Sequence, residues 1–164
     1  AAVGPLGCHG SVSAVERRMK ITRGCLEVIA EFRNPAMVVT KNFLVTRDLD
    51  LLVALAAHRA LKVAISVTTL DPRVQRVMEP RTSIPERRLQ AIERLASAGI
   101  PVAVFVAPVI PGLTDHEIPA ILEAAAEKGA AEASCMPVRL PYGVKDLFVD
   151  WLERHFSRIA KIRS

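Results

Sequence analysis

Aromatic residues make up only 4% of the 164-residue chain, cysteines number three, and no long run of apolar residues goes uninterrupted by charge. Scarce rings leave little from which to build the base-stacking platforms that grip single-stranded nucleic acid. A helical membrane span needs roughly 18 or more consecutive apolar residues, so none is expected. The first residues lack the charged-then-apolar layout of a secretory signal, which makes the cytoplasm the expected location. Cys8, Cys25 and Cys135 are odd in number and widely spaced, which suits reduced thiols better than a disulfide framework. No CxxC or CxxxCxxC spacing occurs. Gly4, Gly7 and Gly10 form GxxGxxG, not the dinucleotide-binding GxGxxG, and neither a GxxxxGK[ST] phosphate loop nor a GxSxG nucleophile turn is present. Asp115, His116 and Glu117 are consecutive, and consecutive helical side chains point in different directions, so no metal site is expected from them.

What is present has the balance of an ordinary globular domain: 51% hydrophobic and 24% charged residues, enough for one sizeable core. Lys and Arg outnumber Asp and Glu by 22 to 17, and the net charge of +5 either serves solubility or steers phosphates toward the surface. Apolar spacing predicts a helix from Ala14 to Phe32, weakened by Gly24. Four runs read as strands: Ala36 to Lys41, which is β-branched, Lys62 to Thr68, which repeats the signal, Pro101 to Ala107, and about Glu132 to Val138. Helices alternate with them. One is capped by Thr46 or Asp48 and runs to about His58, a short one opens at Asp71-Pro72 and reaches Met78, and a longer one opens at Ser83 and Pro85 and stops at Gly99. Thr114 with Glu117 reads as a capping box for a helix to Lys128. A last helix, Tyr142 to His155, carries Val144, Leu147, Phe148, Trp151 and Leu152 on one face. The predicted organisation is a short segment over 1–13, a β/α domain over 14–156, and a basic tail over 157–164. Arg154, His155, Arg158, Lys161 and Arg163 at that end read as phosphate contacts or as a solvated basic helix end.

Alternation of strand and helix at this spacing predicts an α/β fold of about four parallel strands, either an open doubly wound sheet or an arc of a β/α barrel. Along Lys62 to Thr68, Val63, Ile65 and Val67 fall on one face, and Ala64, Ser66 and Thr68 on the other. Helices covering both faces would require both to be apolar, so the hydroxyl-bearing face suggests a lumen; hydroxyls bonded to nearby backbone are the alternative. Polar or special residues follow each apolar run: Thr40 to Asn42, Ser66 to Asp71, Pro108 to Asp115, and Arg139 with Tyr142. They would share the rim at the carboxyl ends of the strands, where ligands bind in β/α architectures.

Several segments on that rim have a familiar wording: Val39-Thr-Lys41; Val63-Ala-Ile-Ser-Val-Thr-Thr-Leu-Asp71; Met78-Glu-Pro-Arg81 with Pro85-Glu-Arg-Arg-Leu89; and Val106-Ala-Pro-Val-Ile-Pro-Gly-Leu-Thr-Asp115. They resemble the radical S-adenosylmethionine superfamily, on the branch that includes spore photoproduct lyase, in order and spacing from about Ala14 to Phe156. The resemblance implies a partial β/α barrel of which this chain matches the last four strands. It also implies a 4Fe-4S cluster that reduces S-adenosylmethionine to a 5′-deoxyadenosyl radical. By the same resemblance, Lys41 and Ser66 approach the methionine carboxylate or ribose, Thr68 joins Ser66, Arg81 is a further carboxylate contact, and Val109 and Ile110 hold the adenine.

Three thiolates spaced CxxxCxxC anchor the cluster in that family, and they are missing here. The family's first two β/α units are not recognisable either. The expectation is therefore a fragment lacking the cluster-binding cysteines, inactive alone, whose exposed sheet edge favours self-association. Its substrate is unknown, with nucleic acid suggested by the family. A second reading is a noncatalytic β/α module whose basic rim, Lys41, Arg81 and Arg139, takes a phosphate-bearing ligand.

Overall fold

The computed structural model describes residues 14–156; the segments 1–13 and 157–164, with Cys8, His9, Arg158, Lys161 and Arg163, lie outside the described residues. Four strands, β1 (Ala36–Thr40), β2 (Leu61–Ser66), β3 (Val102–Val109) and β4 (Glu132–Pro137), form one sheet in the order β1-β2-β3-β4. Every pairing is parallel. The helices are α1 (Ala14–Met19), α2 (Ile21–Glu31), α3 (Leu49–Ala57), α4 (Pro72–Met78), α5 (Pro85–Ser97), α6 (Ile118–Glu127) and α7 (Val144–His155), with short 3-10 turns at Phe43–Asp48 and Asp115–Glu117.

Strand order equals chain order, without the reversal that defines a doubly wound sheet. Crossovers of one hand then lay successive helices on the same face. The core follows from this: Val63, Ile65 and Val67 of the β2 segment and Val102, Val104 and Val106 of β3 pack against Leu52 and Leu55 of α3, Ile92 and Leu95 of α5, and Ile121 of α6. Each such burial contributes roughly 1.5–3 kcal/mol. The opposite face carries Ala64, Ser66, Ala103 and Phe105, and there Lys62 of β2 pairs with Glu132 of β4 across β3. The fold is thus an arc of a β/α barrel.

A second apolar cluster joins Leu152 of α7 to Ile110 and Leu113 beyond the end of β3. Phe148 and Trp151 pack against it, with ring centroids 5.6 Å apart. Val144 and Leu147, expected on the same face, stay exposed.

Four local expectations need correction, each because a side chain bonds elsewhere. Neither Thr46 nor Asp48 caps α3 with its side chain: Thr46 Oγ1 donates to the carbonyl of Phe43 at 3.0 Å, and the Asp48 carboxylate accepts from Arg23 and Arg47. The first helix is two helices: Lys20 adopts φ 52°, and the Glu16 carboxylate accepts from Thr22 N at 3.1 Å, which starts a new helix. Ser83 does not cap α5; its hydroxyl accepts from Phe43 N at 2.9 Å. Thr114 and Glu117 form no capping box. Thr114 Oγ1 accepts from Ile110 N at 2.9 Å, and the Glu117 carboxylate accepts from Thr69 Oγ1 and Leu70 N, both at 2.6 Å. Ser, Thr and Glu side chains that satisfy neighbouring loops are withdrawn from helix ends. Asp71 does cap α4, accepting from Arg73 N at 2.7 Å, and Gly99 follows α5 at φ 76°.

Candidate functional site

A cavity of about 470 Å³ opens on the sheet face that the core helices leave bare. This falls within the range of small-molecule sites, about 300–1,000 Å³. Much of its wall is hydrocarbon, from Val39, Phe105, Pro108 and Met136, while Lys41, Ser66, Thr82 and Arg139 supply polar groups. Parallel alternation produces this division: the residues between the core valines of β2 and β3 face away from the helices. Lys41 stands at the carboxyl end of β1 and Ser66 at that of β2, so both expected residues face the same space.

Behind the Lys41 wall lies a charge cluster. The ammonium of Lys41 pairs with the Glu79 carboxylate and donates to Thr68 Oγ1 at 3.4 Å. Glu79 Oε2 accepts from Arg88 Nη2 at 2.6 Å. Arg88 also donates to the carbonyl oxygen of Ser66 at 3.0 Å, to that of Ser83 at 2.7 Å, and to Thr82 Oγ1 at 2.5 Å. Its side chain is 1% exposed, that of Glu79 10% and that of Lys41 29%. Burial pushes the Glu79 carboxyl up, but the charges of Arg88 and Lys41 and their hydrogen bonds outweigh it and hold the group below its ordinary value. Ser66 Oγ donates to the carbonyl of Ala107 at 3.0 Å, and Thr68 Oγ1 lies 3.1 Å from both that oxygen and Glu79 Oε1. Its single proton serves one of those acceptors at a time.

The structure brings Lys41 and Ser66 to the cavity and sets Thr68 directly behind them, fully buried. Arg81 is exposed and does not line it. Val109 belongs to the core cluster and Ile110 to the cluster under α7, so neither reaches the cavity. Val109 would follow Phe105 and Ala107 onto the open face by simple alternation, but the pairing with β4 shifts between Val106 and Val109 and turns it inward. Sequence reasoning missed Glu79 and Arg88. The signal was there: Arg88 lies at helical spacing with Ala91, Ile92 and Leu95, a charge on an otherwise apolar face that demands a buried counter-charge.

An open β/α arc with a ligand-sized cavity at its strand ends defines the class of protein, and sequence comparison supplies the family. The chain matches the profile of the radical SAM superfamily over residues 13–125 and belongs to that superfamily. It is 32% identical over 151 residues to an uncharacterized protein of Mycobacterium tuberculosis, covering 90% of this chain and 44% of the relative. It is 30% identical over 103 residues to an uncharacterized protein of Methanocaldococcus jannaschii, covering 63% of this chain and 38% of that one. The chain therefore spans less than half the length of these relatives. Among solved structures, a mutant of spore photoproduct lyase shares the fold at a TM-score of 0.57 and 16% identity, over 89% of this chain and 56% of that one.

The described residues do not fit a 4Fe-4S cluster. Cys25 sits exposed on α2 before β1, and Cys135 sits exposed on β4 at the far edge of the sheet. Neither lines the cavity, and among the described residues no three His, Cys, Asp or Glu side chains are arranged so as to hold a metal ion.

Proposed function

We propose that this chain is the S-adenosylmethionine-holding part of a radical SAM enzyme, with the cluster-binding cysteines on polypeptide outside it. One observation carries the reading: Lys41 and Ser66 face a common, largely apolar cavity on the face of the arc that the core helices leave open. In this reading the Lys41 ammonium, a compact point charge, takes the methionine carboxylate, and Ser66 Oγ keeps lone pairs free to accept from the ribose. Val39, Phe105 and Met136 give the adenine an apolar wall. When bound beside a reduced cluster, S-adenosylmethionine supplies a radical able to take hydrogen from a substrate. The part of this chain is to bind, to orient and to exclude water.

The test is equilibrium binding of S-adenosylmethionine and S-adenosylhomocysteine to the chain. Both bind, and Lys41→Met weakens both by tenfold or more, since a charge-assisted bond of about 1.5–3 kcal/mol is lost. Absence of binding, or a Lys41→Met variant that binds as tightly as the parent, refutes the proposal.

A further inference from the structure

Among the described residues, Arg139 is the one cation on the cavity wall that the cluster behind Lys41 does not involve. It follows β4 by two residues and is exposed, and among the described residues it makes no ion pair and no side-chain hydrogen bond. No described Asp or Glu lines the cavity to answer it. Its backbone is nonetheless held in place: Val138 N donates to the carbonyl of Val109 at 2.9 Å, and Pro137 and Pro141 bracket the segment. Lys41 ends β1 and Arg139 follows β4, at opposite edges of the sheet. Three strand spacings separate them, roughly 14 Å along the arc at about 4.8 Å each. The Lys41 ammonium is turned to Glu79 and Thr68 on its own side of the sheet, and Arg139 takes no part in that cluster, so the cavity wall carries two cationic positions with different surroundings. The Lys41 position is already shared with Glu79, whereas Arg139 has its full guanidinium fork free. That fork matches the oxygens of a carboxylate or phosphate two at a time.

We infer that Arg139 is a second anion subsite, one that holds an oxyanion of the substrate while S-adenosylmethionine occupies the Lys41 side. The inference rests on the proposed function only for which molecule lies at Lys41. It makes the substrate an acid, a phosphate ester or a carboxylate, with an apolar body set against Pro137 on the β4 side of the cavity. Arg139 is exposed, so water solvates its guanidinium until an oxyanion takes that place.

Phenyl phosphate, benzoate and neutral benzyl alcohol serve as probes, titrated into the full chain by ligand-observed NMR with S-adenosylhomocysteine present and absent. At least one of the two anions binds tenfold or more tighter than benzyl alcohol, and raising the salt narrows the margin. Phenyl phosphate alone would mark a phosphate ester, benzoate alone a carboxylate, and both the shared chemistry. Arg139→Gln abolishes the margin while benzyl alcohol binds as before, Arg139→Lys restores part of it, and Arg81→Gln, which removes the same charge away from the cavity, leaves it intact. The inference is overturned if the parent chain shows no preference for the anions, if Arg139→Gln keeps the margin, or if Arg81→Gln or Lys41→Met removes it equally. Failure of S-adenosylhomocysteine to bind at all would refute the proposed function and leave the Arg139 result to be read by itself.

Discussion

Replacing Glu79 by Gln keeps the shape of the side chain and deletes one charge, and the structure sets the cost. Arg88 is 1% exposed and, among the described residues, has Glu79 as its only carboxylate partner. Removing one member of a buried pair typically costs about 3–5 kcal/mol, because the remaining charge stays dehydrated. Lys41, at 29% exposure, can turn toward water, and its own share is that of a partly solvated pair, about 0–1 kcal/mol. Glu79→Gln therefore destabilises the chain by about 3–5 kcal/mol, a shift of roughly 2 M in urea midpoint for a slope near 2 kcal/mol/M. Arg88→Met costs at least as much, since the carbonyls of Ser66 and Ser83 also lose a donor. The double variant costs less than the sum of the two by about 2 kcal/mol or more, which marks direct coupling. Because the carboxyl is more acidic in the folded than in the unfolded chain, the folded state binds fewer protons between the two pKa values. The contribution is complete above the unfolded value, near 4.5, and is lost as pH falls through the lower folded value. Urea midpoints measured from pH 7 to pH 3 drop more steeply for the parent than for Glu79→Gln. A loss under 1 kcal/mol at neutral pH, or parallel pH curves, would refute the reasoning.

Gly129 ends α6 at φ +92°, and a Cβ there would stand 2.8 Å from Cβ of Ala96. Gly129→Ala combines a disfavoured backbone conformation with that clash and is expected to cost about 1–3 kcal/mol in thermal or urea unfolding; a neutral result would mean that α5 and α6 can separate freely. β4 is an edge strand exposed along its whole length, and β1 is the other edge. Apparent mass by size exclusion is expected to rise with concentration, and a Lys placed at Ala133 on β4 to reduce that association; a concentration-independent monomer would speak against edge pairing.

The parts of the fold legible in the sequence were those that repeat. Four strand-like runs located four strands to within a few residues, and the alternation in β2 separated core valines from a hydroxyl-bearing face; of the two readings left open for that face both hold in part, since Ser66 lines the cavity while Ser66 and Thr68 both bond the Ala107 carbonyl. Lys41 and Ser66 could be placed because a strand end is a one-dimensional landmark. Glu79 and Arg88 were not, because their partnership joins the loop after α4 to the first turn of α5, and a separation of nine residues along the chain says nothing about distance across it. Arg81 was the nearer arginine in the chain, yet it lies outside the cavity and Arg88 lies beneath it. Val109 eluded the reading for a different reason. Its side was decided by a shift in strand pairing, a property of two chain segments together that neither displays alone. Helix starts failed where loops competed for the same hydroxyl or carboxylate, as at Thr114 and Ser83.

The interleaving of Val63, Ile65 and Val67 with Ala64, Ser66 and Thr68 carries an evolutionary consequence. Inserting or deleting a single codon inside β2 would exchange the greasy and hydroxylated sets, spoiling the interior and the ligand chamber in one event. Length variation in descendants of this chain should therefore collect in the segments between strands, and new ligand preferences should arise by substitution at alternate positions, two residues at a time.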